Sequence, residues 1–128
     1  MKVLIQSLAI GLGGFAGALA RWGVAMVFGR AFPTMQFPLG TFFINITGSL
    51  FLGWFLTFAG TRYPVSDTMK LAVATGFVGA YTTFSTFMYE STRLSDDGAS
   101  LEAITNLVGS VIVGLLAVKL GMMIARRV

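Results

Sequence analysis

The sequence predicts an all-α integral membrane protein of four transmembrane helices, on three observations. Of its 128 residues, 55% are hydrophobic and only 11% charged, with a mean hydropathy of +0.82. A soluble domain of this size needs a charged, solvated surface that this composition cannot supply. The charges also fall in short patches, leaving four apolar runs long enough for the ~20 helical residues that cross a ~30 Å hydrocarbon core.

The first span is predicted over about residues 3–28, interrupted only by Arg21, and the second over about 39–59. The third covers about 69–92, its apolar run extending from Met69 to Tyr89, and the fourth about 101–125, with Lys119 near its end. The connections carry the breakers: Gly29-Arg30 with Pro33 and Pro38, then Arg62-Tyr63-Pro64, then Ser95-Asp96-Asp97-Gly98. Four spans with short loops make an up-down-up-down bundle, a single domain over 1–128. Lys2, the first apolar run and Ala18-Leu19-Ala20 imitate a signal peptide. Gly11, Gly13, Gly14 and Gly17, and an internal match, argue instead for a retained span.

That match is a repeat. Gly14-Phe15-Ala16-Gly17-Ala18 recurs 62 residues later as Gly76-Phe77-Val78-Gly79-Ala80. Asn45-Ile46-Thr47-Gly48-Ser49, with Gly53, recurs 61 residues later as Asn106-Leu107-Val108-Gly109-Ser110, with Gly114. Residues of about 1–60 thus correspond to about 62–122, a parallel duplication of two helices. In lipid, small residues let helices approach closely. Gly13 and Gly17 form a GxxxG pair, and Gly48, Gly53, Gly109 and Gly114 are expected to make similar contacts. Four helices barely enclose a pathway, so a homodimer is expected.

Basic residues give the orientation. Lys2, Arg62, Lys70, Arg126 and Arg127 fall on the side of the termini, against Arg30 and Arg93 on the other, with Arg21 able to snorkel there. This favours cytoplasmic termini.

Several functions are excluded. Cysteine and histidine are absent, which removes thiol chemistry, disulfides and the usual zinc, haem and iron–sulfur ligation. No Ser-Lys pair stands out to replace a histidine base, so an enzyme is not expected. The net charge of +4 comes from basic residues scattered around apolar segments, not the stripe that nucleic acid requires.

The most unusual stretch is Gly76-Phe77-Val78-Gly79-Ala80-Tyr81-Thr82-Thr83-Phe84-Ser85-Thr86-Phe87. Glycines and hydroxyl residues weaken a continuous helix, and a break at membrane depth must line a cavity or be buried in protein. A break here would free carbonyls, around Gly79 to Thr82, for a cation, and the helix resuming after it would point free N–H groups inward. Phe84 and Phe87 share a helical face; their electropositive ring edges suit an anion, although phenylalanines in a span most often simply pack. Asn45 and Asn106, with Ser49 and Ser110 nearby, either bond between helices at about 1 kcal/mol each or replace the water around an anion in transit. Arg21 either snorkels or serves function. Glu90 either pairs with Arg93 or sits in a vestibule.

Over essentially its whole length the chain resembles the Fluc (CrcB) family of bacterial fluoride channels. The resemblance rests on Gly17-Ala18 with Arg21-Trp22, on Gly40-Thr41 followed by Asn45, and on Thr82-Thr83-Phe84-Ser85-Thr86-Phe87 with Glu90; the last motif is highly specific. It implies a dual-topology antiparallel homodimer in the bacterial cytoplasmic (inner) membrane, with two fluoride pores and a central structural sodium ion. By position, Phe84 and Phe87 would be the paired pore phenylalanines and Asn45 the pore-lining amide. Thr41, Ser85, Thr86 and Ser110 would add hydroxyls to the fluoride pathway, Arg21 and Glu90 would stand in the vestibule, and Gly79 and Thr82 would offer carbonyls to sodium. Beyond Ser110 the fourth span offers only Val113 and Gly114, a short hydroxyl track. A four-helix proton-coupled multidrug exporter is the main alternative. It needs an intramembrane carboxylate, for which Glu90 is the one candidate. A structural subunit without transport would have no use for the polar residues of span three.

Overall fold

The computed structural model describes residues 1–61 and 64–127, and no strand occurs among them. Helices α1 (Lys2–Ala31) and α2 (Leu39–Thr61) form the first two spans. The third consists of α3 (Asp67–Lys70), a π-helical run (Leu71–Val78), α4 (Gly79–Tyr81) and, after a break, α5 (Phe84–Asp96). Helix α6 (Ser100–Arg127) is the fourth. All four spans are long and apolar enough to cross a membrane. Each extends a few residues past the apolar run, because end residues such as Lys2, Asp67 and Arg127 continue the backbone ladder. Arg62 and Tyr63, and with them one of the five basic residues on the terminal side, lie outside the described residues.

The ends of the elements have local causes. After α1, Phe32 donates to the Phe28 carbonyl at 2.9 Å, and Pro33, which lacks an N–H, cannot extend the ladder. Pro38 opens α2 by accepting from Phe42 N–H at 3.0 Å. Ser66 caps α3, its hydroxyl accepting from Met69 N–H at 3.2 Å. Helix α5 closes in a Schellman turn: Gly98 donates to Ser95 at 3.1 Å and Ala99 to Leu94 at 2.8 Å. Gly98 takes φ 81, a left-handed value at which an L side chain is strained.

Glycines set the packing. Helix α1 lies on the π-helical run and α2 on α6. A Cβ on Gly13 would overlap the Ala72 carbonyl, and one on Gly17 the Phe77 carbonyl. Both carbonyls belong to the π run, and Gly76 presses in return on the Ile10 carbonyl. Across the other pair, Gly53 meets the Val118 carbonyl and Gly121 the Leu50 carbonyl. In lipid such backbone approach replaces the hydrophobic drive. Two expectations fail here. Gly109 meets nothing within 4 Å, and Gly114 touches only Ile46 and Ser49 side chains at ordinary distances of 3.8 and 3.9 Å. The close α2–α6 approach is made about two turns beyond Gly114, at Gly121.

The outside is apolar, unlike that of a water-soluble protein, and the interior holds polar groups among its apolar ones. Asn106 is 0% exposed and Ser91 4%, whereas Phe15 is 68% and Trp22 64% exposed. Such a surface is stable against hydrocarbon, and Asn106 and Ser91, which hydrocarbon cannot solvate, are bonded to each other inside.

Candidate functional site

The third span breaks at Thr82 and Thr83, both extended (φ −79, ψ 159 and φ −150, ψ 116). The break thus falls inside the stretch that the sequence singles out. Gly79 remains helical, and the helix keeps its last bond, Thr82 N–H to the Val78 carbonyl at 2.9 Å. What holds Thr83 open is Asn45 on α2. Its Oδ1 accepts from Thr83 N–H at 2.8 Å, and its Nδ2 donates to the Thr83 carbonyl at 3.1 Å. One side-chain amide thus bonds both backbone groups of Thr83. The Thr83 hydroxyl then caps α5, accepting from Thr86 N–H at 3.2 Å and donating to the Thr86 hydroxyl at 3.0 Å. A Cβ on Gly48 would strike the Thr82 side chain, so glycine there lets the break seat on α2.

Charge is polarised across the break. In a continuous helix the Gly79 carbonyl would receive Thr83 N–H and the Thr82 carbonyl Thr86 N–H. Those donors are taken by Asn45 and by the Thr83 hydroxyl. The carbonyl end of the first half-helix and the N–H end of α5 therefore meet at one depth, one favouring a cation and the other an anion.

Phe84 and Phe87 occupy the first turn of α5, their ring centroids 6.1 Å apart and tilted at 59°. Phe87 is buried at 7% exposure and Phe84 projects at 74%. A cavity of about 240 Å³ lies against them, lined also by Asn45, Ser49, Thr82 and Thr83. Ser85 and Thr86 are exposed beside it.

Further along α5, Glu90 stands between cavities of about 250 and 190 Å³. It shares the smaller of these cavities with the buried Thr41, and its Oε2 is enclosed without a partner. Of the two readings left open for Glu90, no ion pair with Arg93 forms among the described residues. Arg93 reaches Asp97 instead, Nε to Oδ2 at 3.6 Å on the exposed surface, where both ions stay solvated. Arg21 is half-buried on α1 and lines none of these three cavities.

Between α5 and α6, Ser91 donates to the Phe87 carbonyl at 2.7 Å, Asn106 Nδ2 to Ser91 at 2.9 Å, and Ser110 to Asn106 Oδ1 at 3.2 Å. Sequence reasoning singled out Asn106 and Ser110 but passed over Ser91. Its signal is the i+4 spacing from Phe87, which puts both on one face. Tyr81 was likewise passed over; its hydroxyl shares a 3.0 Å hydrogen bond with Thr47 beside the break.

The family profile described as "CrcB-like protein, Camphor Resistance (CrcB)" matches residues 8–122. The chain belongs to the CrcB family. Curated relatives agree along almost the full length. The "Fluoride-specific ion channel FluC" of Acidobacterium capsulatum is 43% identical over 97% of this chain and 98% of its own. That of Chloroflexus aurantiacus is 44% identical over 93% and 94%. The "Fluoride-specific ion channel FluC 2" of Moorella thermoacetica is 43% identical over 92% and 94%. As a CrcB member with four spans, the chain is a multi-pass protein of the bacterial inner membrane and not an enzyme.

Proposed function

We propose that this chain is a fluoride-selective channel through which fluoride leaves the cytoplasm passively. The observation that carries the reading is the interrupted third span, pinned by Asn45 and opening onto the Phe84–Phe87 pair. Fluoride is small and strongly hydrated, so its passage needs aligned donors to replace water. Ring edges and hydroxyls supply weak ones, from which the ion can leave, whereas a fixed Lys or Arg midway would trap it. Asn45 commits one amide hydrogen to the Thr83 carbonyl. Its second remains for the cavity that it lines. Thr86, Ser85 and Ser110 continue the donors, Thr41 and Glu90 border the path, and Arg21 draws anions to the vestibule.

The working unit in this reading is an antiparallel dual-topology homodimer with two pores. The 74% exposure of Phe84 supports a partner subunit over that ring. A structural sodium ion at the centre is held by the carbonyls of Gly79 and Thr82. Their fit is supported by the loss of both helical donors, since uncharged carbonyl oxygens suit a hard monovalent cation.

Liposomes holding the purified protein test the function. Fluoride efflux without comparable chloride efflux is expected; proton-dependent loss of a cationic dye would indicate an exporter working through Glu90, and no flux a structural subunit. In the same assay Phe84→Ile is expected to lower fluoride efflux at least about tenfold, the scale of one lost ~1.4 kcal/mol interaction, with the dimer still assembled on size exclusion. Efflux at the wild-type rate would remove the ring from the mechanism. Purification with sodium replaced by a large organic cation is expected to shift the dimer toward monomer, and indifference to sodium contradicts the site.

A further inference from the structure

The Ser91–Asn106–Ser110 chain has a direction that chemistry fixes. A carbonyl carries no hydrogen, so Ser91 must donate to Phe87. With its only hydrogen committed, Ser91 can only accept from Asn106, which turns the amide nitrogen toward Ser91. The amide oxygen therefore faces Ser110, and Ser110 must donate to it. The backbone carbonyl of Phe87 thus dictates, two side chains away, where the Ser110 hydrogen points.

The links are unequal. At 2.7 and 2.9 Å the first two are short and lie among buried groups, Ser91 at 4% and Asn106 at 0% exposure. The last, at 3.2 Å, is the longest, and Ser110 is only half-buried. A long bond at the edge of a buried network is the one most readily exchanged.

We propose that Ser91 and Asn106 are positioning residues that never touch the ion: they lock the Phe87 turn of α5 to α6 and hold the Ser110 hydrogen on an exchangeable acceptor. An anion reaching Ser110 takes that hydrogen bond, and the Asn106 oxygen takes it back as the ion leaves. No covalent bond changes, and no proton leaves Ser110. Asn106, fully enclosed, has no surface to offer the ion.

The inference rests on the fluoride-channel reading, and a double-mutant cycle on fluoride efflux tests it. Asn106→Leu and Ser110→Ala are each expected to slow efflux by about tenfold, the scale of one hydrogen bond to a charged group. The double variant is expected to lose no more than the worse single one, because Asn106 acts through Ser110. Multiplying losses, which a merely structural Asn106 would give, overturn the proposal. So does wild-type efflux in Asn106→Leu. Where the leucine variant does not assemble, Ser91→Ala with Ser110→Ala is the deciding pair. It removes one hydroxyl from the same chain, and multiplying losses or wild-type efflux in Ser91→Ala overturn the proposal equally. Wild-type protein run in parallel separates the two levels: its failure to pass fluoride defeats the channel reading itself, whereas multiplying losses beside normal wild-type efflux defeat only the positioning role.

Discussion

Asn45→Leu is expected to reduce fluoride efflux from liposomes by at least about a hundredfold. Leucine matches asparagine closely in size but carries no polar atom, so the cavity stays filled. What disappears is the two-bond clamp on Thr83. Its N–H, at a residue only 8% exposed, is then left without a partner, and its carbonyl loses a donor. Each such orphaned group costs about 1–3 kcal/mol, and ~2.7 kcal/mol already corresponds to a hundredfold. The chain can recover those bonds only by closing the break into continuous helix, which would remove the paired half-helix ends and rotate Phe84 and Phe87. Ser49→Ala is the matched control. It touches the same cavity but has no bond to the break, and a loss of only a fewfold is expected. Wild-type efflux in Asn45→Leu would mean that the break needs no clamp.

Gly17→Ala is expected to destabilise the folded protein more than any other single-methyl addition on α1 save that at Gly13. The added carbon would overlap the Phe77 carbonyl oxygen and crowd its Cα. Backbone cannot swing aside as a side chain can, so α1 must lift from the π-helical run. Overpacking of this kind costs about 1–3 kcal/mol and occasionally more, and here it propagates into the half-helix that leads to the break. The thermal midpoint in detergent and the fraction eluting as a single species both measure it. Gly11→Ala meets nothing within 4 Å and is expected to leave both unchanged or slightly improved, since alanine favours helix. Equal behaviour of the two variants contradicts the close α1–span-three contact.

Much of this fold is legible in the sequence for a plain reason. Hydrocarbon demands long uncharged runs, Pro33 and Gly98 end helices through a bond that cannot be made or an angle that others avoid, and Pro38 opens one. The interruption of span three was equally visible in its threonines and glycines. What holds it open was not, because Asn45, which bonds Thr83, stands on another helix. The π-helical run over Leu71–Val78 left no trace, because Leu, Ala and Val are equally apolar in either winding. Gly109 misled through the repeat: matching Gly48 in sequence does not give it a facing helix. Gly121, outside the matched pentads, carries that contact. The Ser91–Asn106 bond was out of reach because it depends on how far α5 and α6 turn toward each other. Arg93 chose Asp97 over Glu90 for a similarly local reason, an exposed i+4 partner being cheaper to reach than a half-enclosed one.

Current through the purified protein in a planar bilayer, with opposed fluoride and chloride gradients, is the most direct test. If an interrupted third span passes a dehydrated halide by size between ring edges and hydroxyl or amide hydrogens, the current reverses close to the fluoride equilibrium potential. Reversal at the chloride potential, or no current from protein that is folded and correctly inserted, contradicts it.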